Sequence, residues 1–199
     1  MWQGRRPDDV ILADGATFGG VEHWRDGIFT RGILFDVPRH RGAPYVTLEE
    51  PVTGQELEEI AEECGIDPRP GDAVIVHSGR EAFSQEHGRY GSQGKNLDHP
   101  QPDKEYRPGL HPSCVRPLRE WDAGLLIWDM MDLLPDGFDL PWGVHAALYA
   151  FGLPLVDNAL TQPLADACSG LDRTDCLVTI NPLRVDGATG SPANPVALL

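Results

Sequence analysis

The spacing of short apolar runs limits this chain's fold more than any other feature. Residues 32–37, 73–76, 124–128, 153–156 and 176–180 are each bounded by turn residues and rich in Val, Ile, Leu and Phe. Runs this short and this continuously apolar suit strands of a sheet covered on both faces. Helical patterns fall between them. Thr53-Gly54-Gln55-Glu56 is a capping-box pattern ahead of the apolar stripe Leu57, Ile60, Ala61 and Cys64, and Gly65 provides the stop. Further helices are expected over 112–120, over 144–151 up to Gly152, and over 162–168. Strands alternating with short helices predict an α/β sheet with at least some parallel neighbours.

The connections are equally readable. Residues 21–26 look like the end of a short amphipathic helix, and Gly27 turns the chain into the first strand, which Pro38 ends by removing a ladder donor. Arg69-Pro70-Gly71-Asp72 is a turn into the second strand. Residues 84–109 lose periodicity and read as a long surface loop that is a lid, an insertion or disordered. No repeat or composition shift marks a second domain, so residues 1–199 are expected to form one domain.

A formal charge of −15 disfavours nucleic acid and anionic lipid as partners. With no signal-type h-region and no apolar run of membrane length, the expected location is cytoplasmic. Four cysteines without a C-x-x-C pair read as reduced, mostly packed thiols.

No two of the seven histidines stand three or four residues apart, which excludes a helical pair of zinc ligands. His145 begins a predicted helix, and Asp157 follows the strand at 153–156, so a helix, a glycine turn and a strand can bring the two together. An imidazole and a carboxylate meeting there can bind a divalent cation or hold the histidine as a general base. A capping histidine beside a solvated aspartate fits the same spacing. Asp129, after the strand at 124–128, and Ser78-Gly79-Arg80 are weaker candidates, with a turn-forming role expected for Asp129. No G-x-S-x-G elbow and no P-loop lysine is present.

Four stretches, in order, carry a family resemblance: Arg31-Gly32-Ile33-Leu34-Phe35-Asp36-Val37; Arg69 to Gly79; Pro108-Gly109-Leu110-His111-Pro112 leading to Asp129; and the C-terminal half. That half holds His145 to Asn158, Pro182-Leu183-Arg184-Val185 and Gly187 to Pro195, of which Thr189-Gly190-Ser191-Pro192 is the most specific part. Together they resemble the cyclase family that includes bacterial kynurenine formamidases.

The resemblance implies a swivelling β/β/α fold with a mixed sheet, usually dimeric, that binds zinc or manganese. It also implies hydrolysis of an amide or lactam through an activated water. The usual substrate is an aryl formamide such as N-formylkynurenine, from tryptophan catabolism. His145 matches the family's histidine, and Asp157 an acidic position usually filled by glutamate, in the second metal site of binuclear members. The family's main metal motif, a histidine followed by H-x-D and a further histidine, should precede the region from Gly15 to Gly27 and is absent. The expectation is a domain incomplete at its N-terminus with impaired hydrolysis, or a non-catalytic binding or regulatory remnant of the same fold.

Overall fold

The computed structural model describes residues 5–90, 106–134 and 143–199. A short helix α1 (Pro7–Val10) and the hairpin β1 (Ile11–Leu12) and β2 (Gly15–Ala16) open the chain. There follow β3 (Ile28–Asp36), α2 (Val37–Arg41), α3 (Gly54–Glu63), β4 (Ala73–His77), α4 (Arg80–His87), α5 (Val115–Glu120) and β5 (Leu125–Trp128). The chain closes with α6 (Ala146–Phe151), β6 (Leu155–Val156), α7 (Gln162–Leu171), β7 (Asp175–Ile180) and β8 (Val196–Leu198).

The main sheet has the order β6-β5-β4-β3-β7-β8. Its first four members are parallel, whereas β7 pairs antiparallel with β3 and β8 antiparallel with β7. The expected α/β sheet is therefore present and mixed. Side-chain alternation along the strands makes two apolar layers. Ile33, Phe35, Val74, Val76, Leu126 and Trp128 face one side, with Leu57 and Ile60 of α3, Leu118 of α5 and Ala147 of α6. Leu34, Ile75, Leu125, Ile127, Val178 and Ile180 face the other, against Ala165 and Cys168 of α7. This two-sided burial is why the runs are apolar throughout instead of alternating. All four cysteines are free, with Cys64 exposed and the others buried.

Several boundaries differ from the sequence expectation. Strand β3 starts at Ile28, because pairing with β7 from Ile28↔Ile180 carries the polar residues Thr30 and Arg31 into the ladder. Arg31 is held there by Asp72, its Nε donating to Oδ1 at 3.0 Å. Pro38 does more than end the strand: it sits in the first turn of α2, capped by Asp36, which accepts from Arg39 N at 3.1 Å. The segment at 21–24 is one turn of 3₁₀ helix, Val21–Trp24. Thr53 caps α3 as predicted, accepting from Glu56 N at 3.2 Å, but the Glu56 carboxylate is drawn to the Arg41 guanidinium. The capping box is thus half formed, a charged partner having displaced the backbone one.

The surface loop expected over 84–109 is also corrected. Helix α4 runs to His87, and Tyr106 and Leu110 are buried at 4% and 0% exposure. Leu110 bridges Val52 on one side and Asp132 on the other, so this stretch is tied into the core. The rest of the expected loop, residues 91–105, lies outside the described residues, as does His99.

Candidate functional site

The carboxyl ends of the parallel strands carry the chemistry. His77 ends β4, Asp129 follows β5, and Asp157 follows β6. Ligands of open α/β sheets bind at this edge, where strand ends and their loops converge.

A buried layer forms the base. Asp129 is fully buried and accepts four backbone N–H groups, from Ser78 at 2.8 Å, Gly79 at 3.0 Å, Arg80 at 3.1 Å and Met130 at 2.8 Å. Gly79, at φ +83°, closes this turn, and a Cβ there would stand 2.3 Å from the Pro44 carbonyl oxygen. Glycine is required on both counts. His77 Nδ1 lies 2.8 Å from Thr161 Oγ1 and 3.3 Å from Asp129 Oδ2. Burial by itself would neutralise both partners, but their contact overrides it. The Asp129 carboxyl is held below its ordinary value by His77 and the backbone donors, and the His77 imidazole is raised by Asp129.

A second, partly open layer surrounds His145. Its Nδ1 lies 3.0 Å from Asp132 Oδ1 and its Nε2 3.5 Å from Asp157 Oδ2. Asp132 also accepts the His145 backbone N–H at 3.3 Å, so one carboxylate fixes both the start of α6 and the ring orientation. Gly143 leaves room for it, since a Cβ there would lie 3.1 Å from Asp132 Oδ2. The Trp128 ring meets the imidazole edge-on at 5.3 Å between centroids. Burial pulls the His145 pKa down, but the hydrogen bonds and charges of Asp132 and Asp157 raise it to about 9. Asp157 is lowered in turn, first by its contact with His145.

The two residues singled out by spacing are therefore brought together, and His145 stands immediately before α6. The sequence does not single out Asp132, and it points to Asp129 as a turn former. Asp132 stands thirteen residues before His145, with no local pattern linking them. Asp129 is a buried anchor for another strand's turn instead of a turn former, and the sequence signal was its position directly after a wholly apolar strand. Among the described residues, no three or more His, Cys, Asp or Glu side chains are grouped so as to hold a metal ion.

A family described as "Putative cyclase" matches residues 14–133. The chain is similar to a crystal structure of a novel cyclase, at 22% identity and a TM-score of 0.77, over 97% of this chain and 62% of that one. It is also similar to isatin hydrolase A from Labrenzia aggregata bound to benzyl benzoate, at 18% identity and a TM-score of 0.63, over 91% of this chain and 66% of that one. A third likeness is to a potential metal-dependent hydrolase with cyclase activity, at 14% identity and a TM-score of 0.53, over 94% of this chain and 72% of that one. At these identities the likenesses show the fold, a mixed sheet with flanking helices. No curated protein matches the sequence. The chain spans less than two thirds of the length of the first two structures. Among the described residues, no helix is long and apolar enough to cross a membrane.

Proposed function

This chain belongs to the putative cyclase family, and on that premise we propose that its chemistry is metal-assisted hydrolysis of an aryl formamide or a related amide or lactam. The observation that carries the reading is the His145 ring held between two carboxylates at the carboxyl edge of the sheet, with its Nε2 facing Asp157. Similarity to an isatin hydrolase and to a potential metal-dependent hydrolase supports the same class of reaction.

The donor chemistry fits part of a zinc or manganese site. His145 Nε2 and Asp157 Oδ2 would be the ligands, and Asp132 would hold the other ring nitrogen, the usual outer partner of a ligating histidine. Two protein donors leave the remaining positions to water, substrate or other segments. A divalent cation there would supply a water acidic enough to attack at neutral pH and polarise the amide carbonyl. The chain's own residues set the geometry. Asp132 keeps the Nδ1 proton in place, Asp157 supplies the negative charge, and His145 must release its Nε2 proton to become a ligand. The buried Trp128 ring packs edge-on against the imidazole.

The second reading, a binding or regulatory module that keeps the fold without the chemistry, draws on the lack of any group of three or more metal ligands among the described residues. Hydrolysis of N-formylkynurenine and isatin by the purified chain, before and after EDTA and with zinc or manganese restored, separates the two. Chelator-sensitive turnover abolished by His145→Ala supports the hydrolase. Absence of turnover with every metal supports the binding module.

A homodimer is part of the proposal. Phe29 is 71% exposed and all three residues of the edge strand β8 are exposed, which suits burial against a second copy. Sedimentation at micromolar concentration tests it, and a purely monomeric chain removes it.

A further inference from the structure

Asp157 is the most exposed member of the upper layer, its side chain 47% accessible, yet it stands at a defined place opposite His145. The segment that carries it is short. It leaves β6 at Val156 and passes through Asn158, which adopts a left-handed conformation at φ +54°. Beyond it, Ala159 N donates to the Trp128 carbonyl at 2.9 Å. Asn is among the few non-glycine residues that visit this conformation, and here a neighbouring side chain contacts it directly.

The neighbour is Arg80. Its Nη1 donates to both the Asn158 carbonyl and the Asn158 Oδ1, each at 2.7 Å. The rest of the guanidinium is aimed by Glu81, whose Oε1 accepts from Nε at 2.9 Å and also from Nη2. The Arg80 backbone is itself anchored, its N–H donating to Asp129. A continuous chain of contacts therefore runs from the buried Asp129 carboxylate through the turn after β4 and the Arg80 side chain to the residue next to Asp157.

We propose that Arg80 is the positioning residue of Asp157: by clamping Asn158 in its left-handed conformation it fixes the loop after β6 and sets the separation between Asp157 and His145. The inference rests on the reading of Asp157 as a functional group, but the contacts that argue for it involve no cation. A direct effect of the guanidinium charge is a different role, and it does not require the Asn158 contacts.

The test uses the metal-free full chain, so its outcome is independent of whether the chain binds a cation or turns over an amide. Amide hydrogen exchange and crystal structures are compared for the wild type, Arg80→Ala and Arg80→Lys. Arg80→Ala is expected to speed exchange at Asp157 to Ala159 by about tenfold or more, a local opening. The amide of Leu126, which donates to the Pro154 carbonyl, is expected to keep its wild-type rate. In the crystal, Asn158 leaves the left-handed region and Asp157 moves beyond ion-pair distance of His145, whereas the contact of His145 with Asp132 persists. Arg80→Lys, which can still donate to the Asn158 carbonyl, recovers most of the exchange protection. The proposal is overturned if Arg80→Ala leaves exchange at Asp157 to Ala159 unchanged. It is equally overturned if Leu126 and the Asp132 contact are lost alongside, because that marks a general structural role. If Arg80→Ala does not fold, Arg80→Lys and Asn158→Gly decide. Reduced protection at Asp157 to Ala159 with the glycine, which lacks Oδ1, supports the clamp, and wild-type protection with the glycine contradicts clamping through the two Asn158 acceptors.

Discussion

Asp157 Oδ2 stands 3.5 Å from His145 Nε2, although a helix, a left-handed glycine and a strand lie between them. With Asp132 on the other ring nitrogen, the imidazole is a doubly paired cation at neutral pH, its pKa raised to about 9.

That pairing gives stability a definite pH dependence. A histidine raised from about 6.5 in the unfolded chain to about 9 in the folded one contributes stability that is fully present below the unfolded value. The contribution fades as pH rises through 6.5 and is gone above the folded value. Urea midpoints are expected to fall between pH 6 and pH 9 in the wild type, and by less in His145→Gln.

Cation binding should run the opposite way. A proton and a cation compete for Nε2, so apparent affinity for zinc or manganese is expected to rise by up to tenfold per pH unit until about pH 9. Calorimetric titrations at pH 6, 7 and 8 check this. A flat profile removes His145 as a ligand.

Asp129→Asn replaces an acceptor of four backbone N–H groups by an amide that can turn only one oxygen toward them. It also leaves His77 without its buried counter-charge. Loss of a buried hydrogen-bonded charge is expected to cost about 3–5 kcal/mol, read from urea unfolding.

Thr53→Ala removes the side-chain acceptor for Glu56 N at the start of α3 and should cost about 1 kcal/mol. Glu56→Gln, which breaks the bidentate pair with Arg41, should exceed it, because both carboxylate oxygens are engaged and the group is nearly buried.

Much of the fold is legible in the sequence because its signals are local. The apolar strand runs, the Thr53 cap and the stops at Gly65 and Gly152 each need only a few neighbouring residues. The start of β3 was not legible, because Arg31 enters the strand on the strength of Asp72, forty-one residues away. The site divides in the same way. His145 and Asp157 could be paired from one helix–turn–strand spacing. Asp132 reaches His145 only because residues 131–134 are laid beside 107–110, and Asp129 matters through a turn on the neighbouring strand. Neither relationship leaves a mark in sequence spacing.

The most direct measurement is zinc binding by the metal-free chain, wild type against Asp157→Ala, by calorimetry at pH 8. One zinc per chain, with affinity lowered at least tenfold in the variant, is the predicted result. No binding by the wild type, or equal affinity in both proteins, would contradict the assignment of His145 and Asp157 as paired ligands.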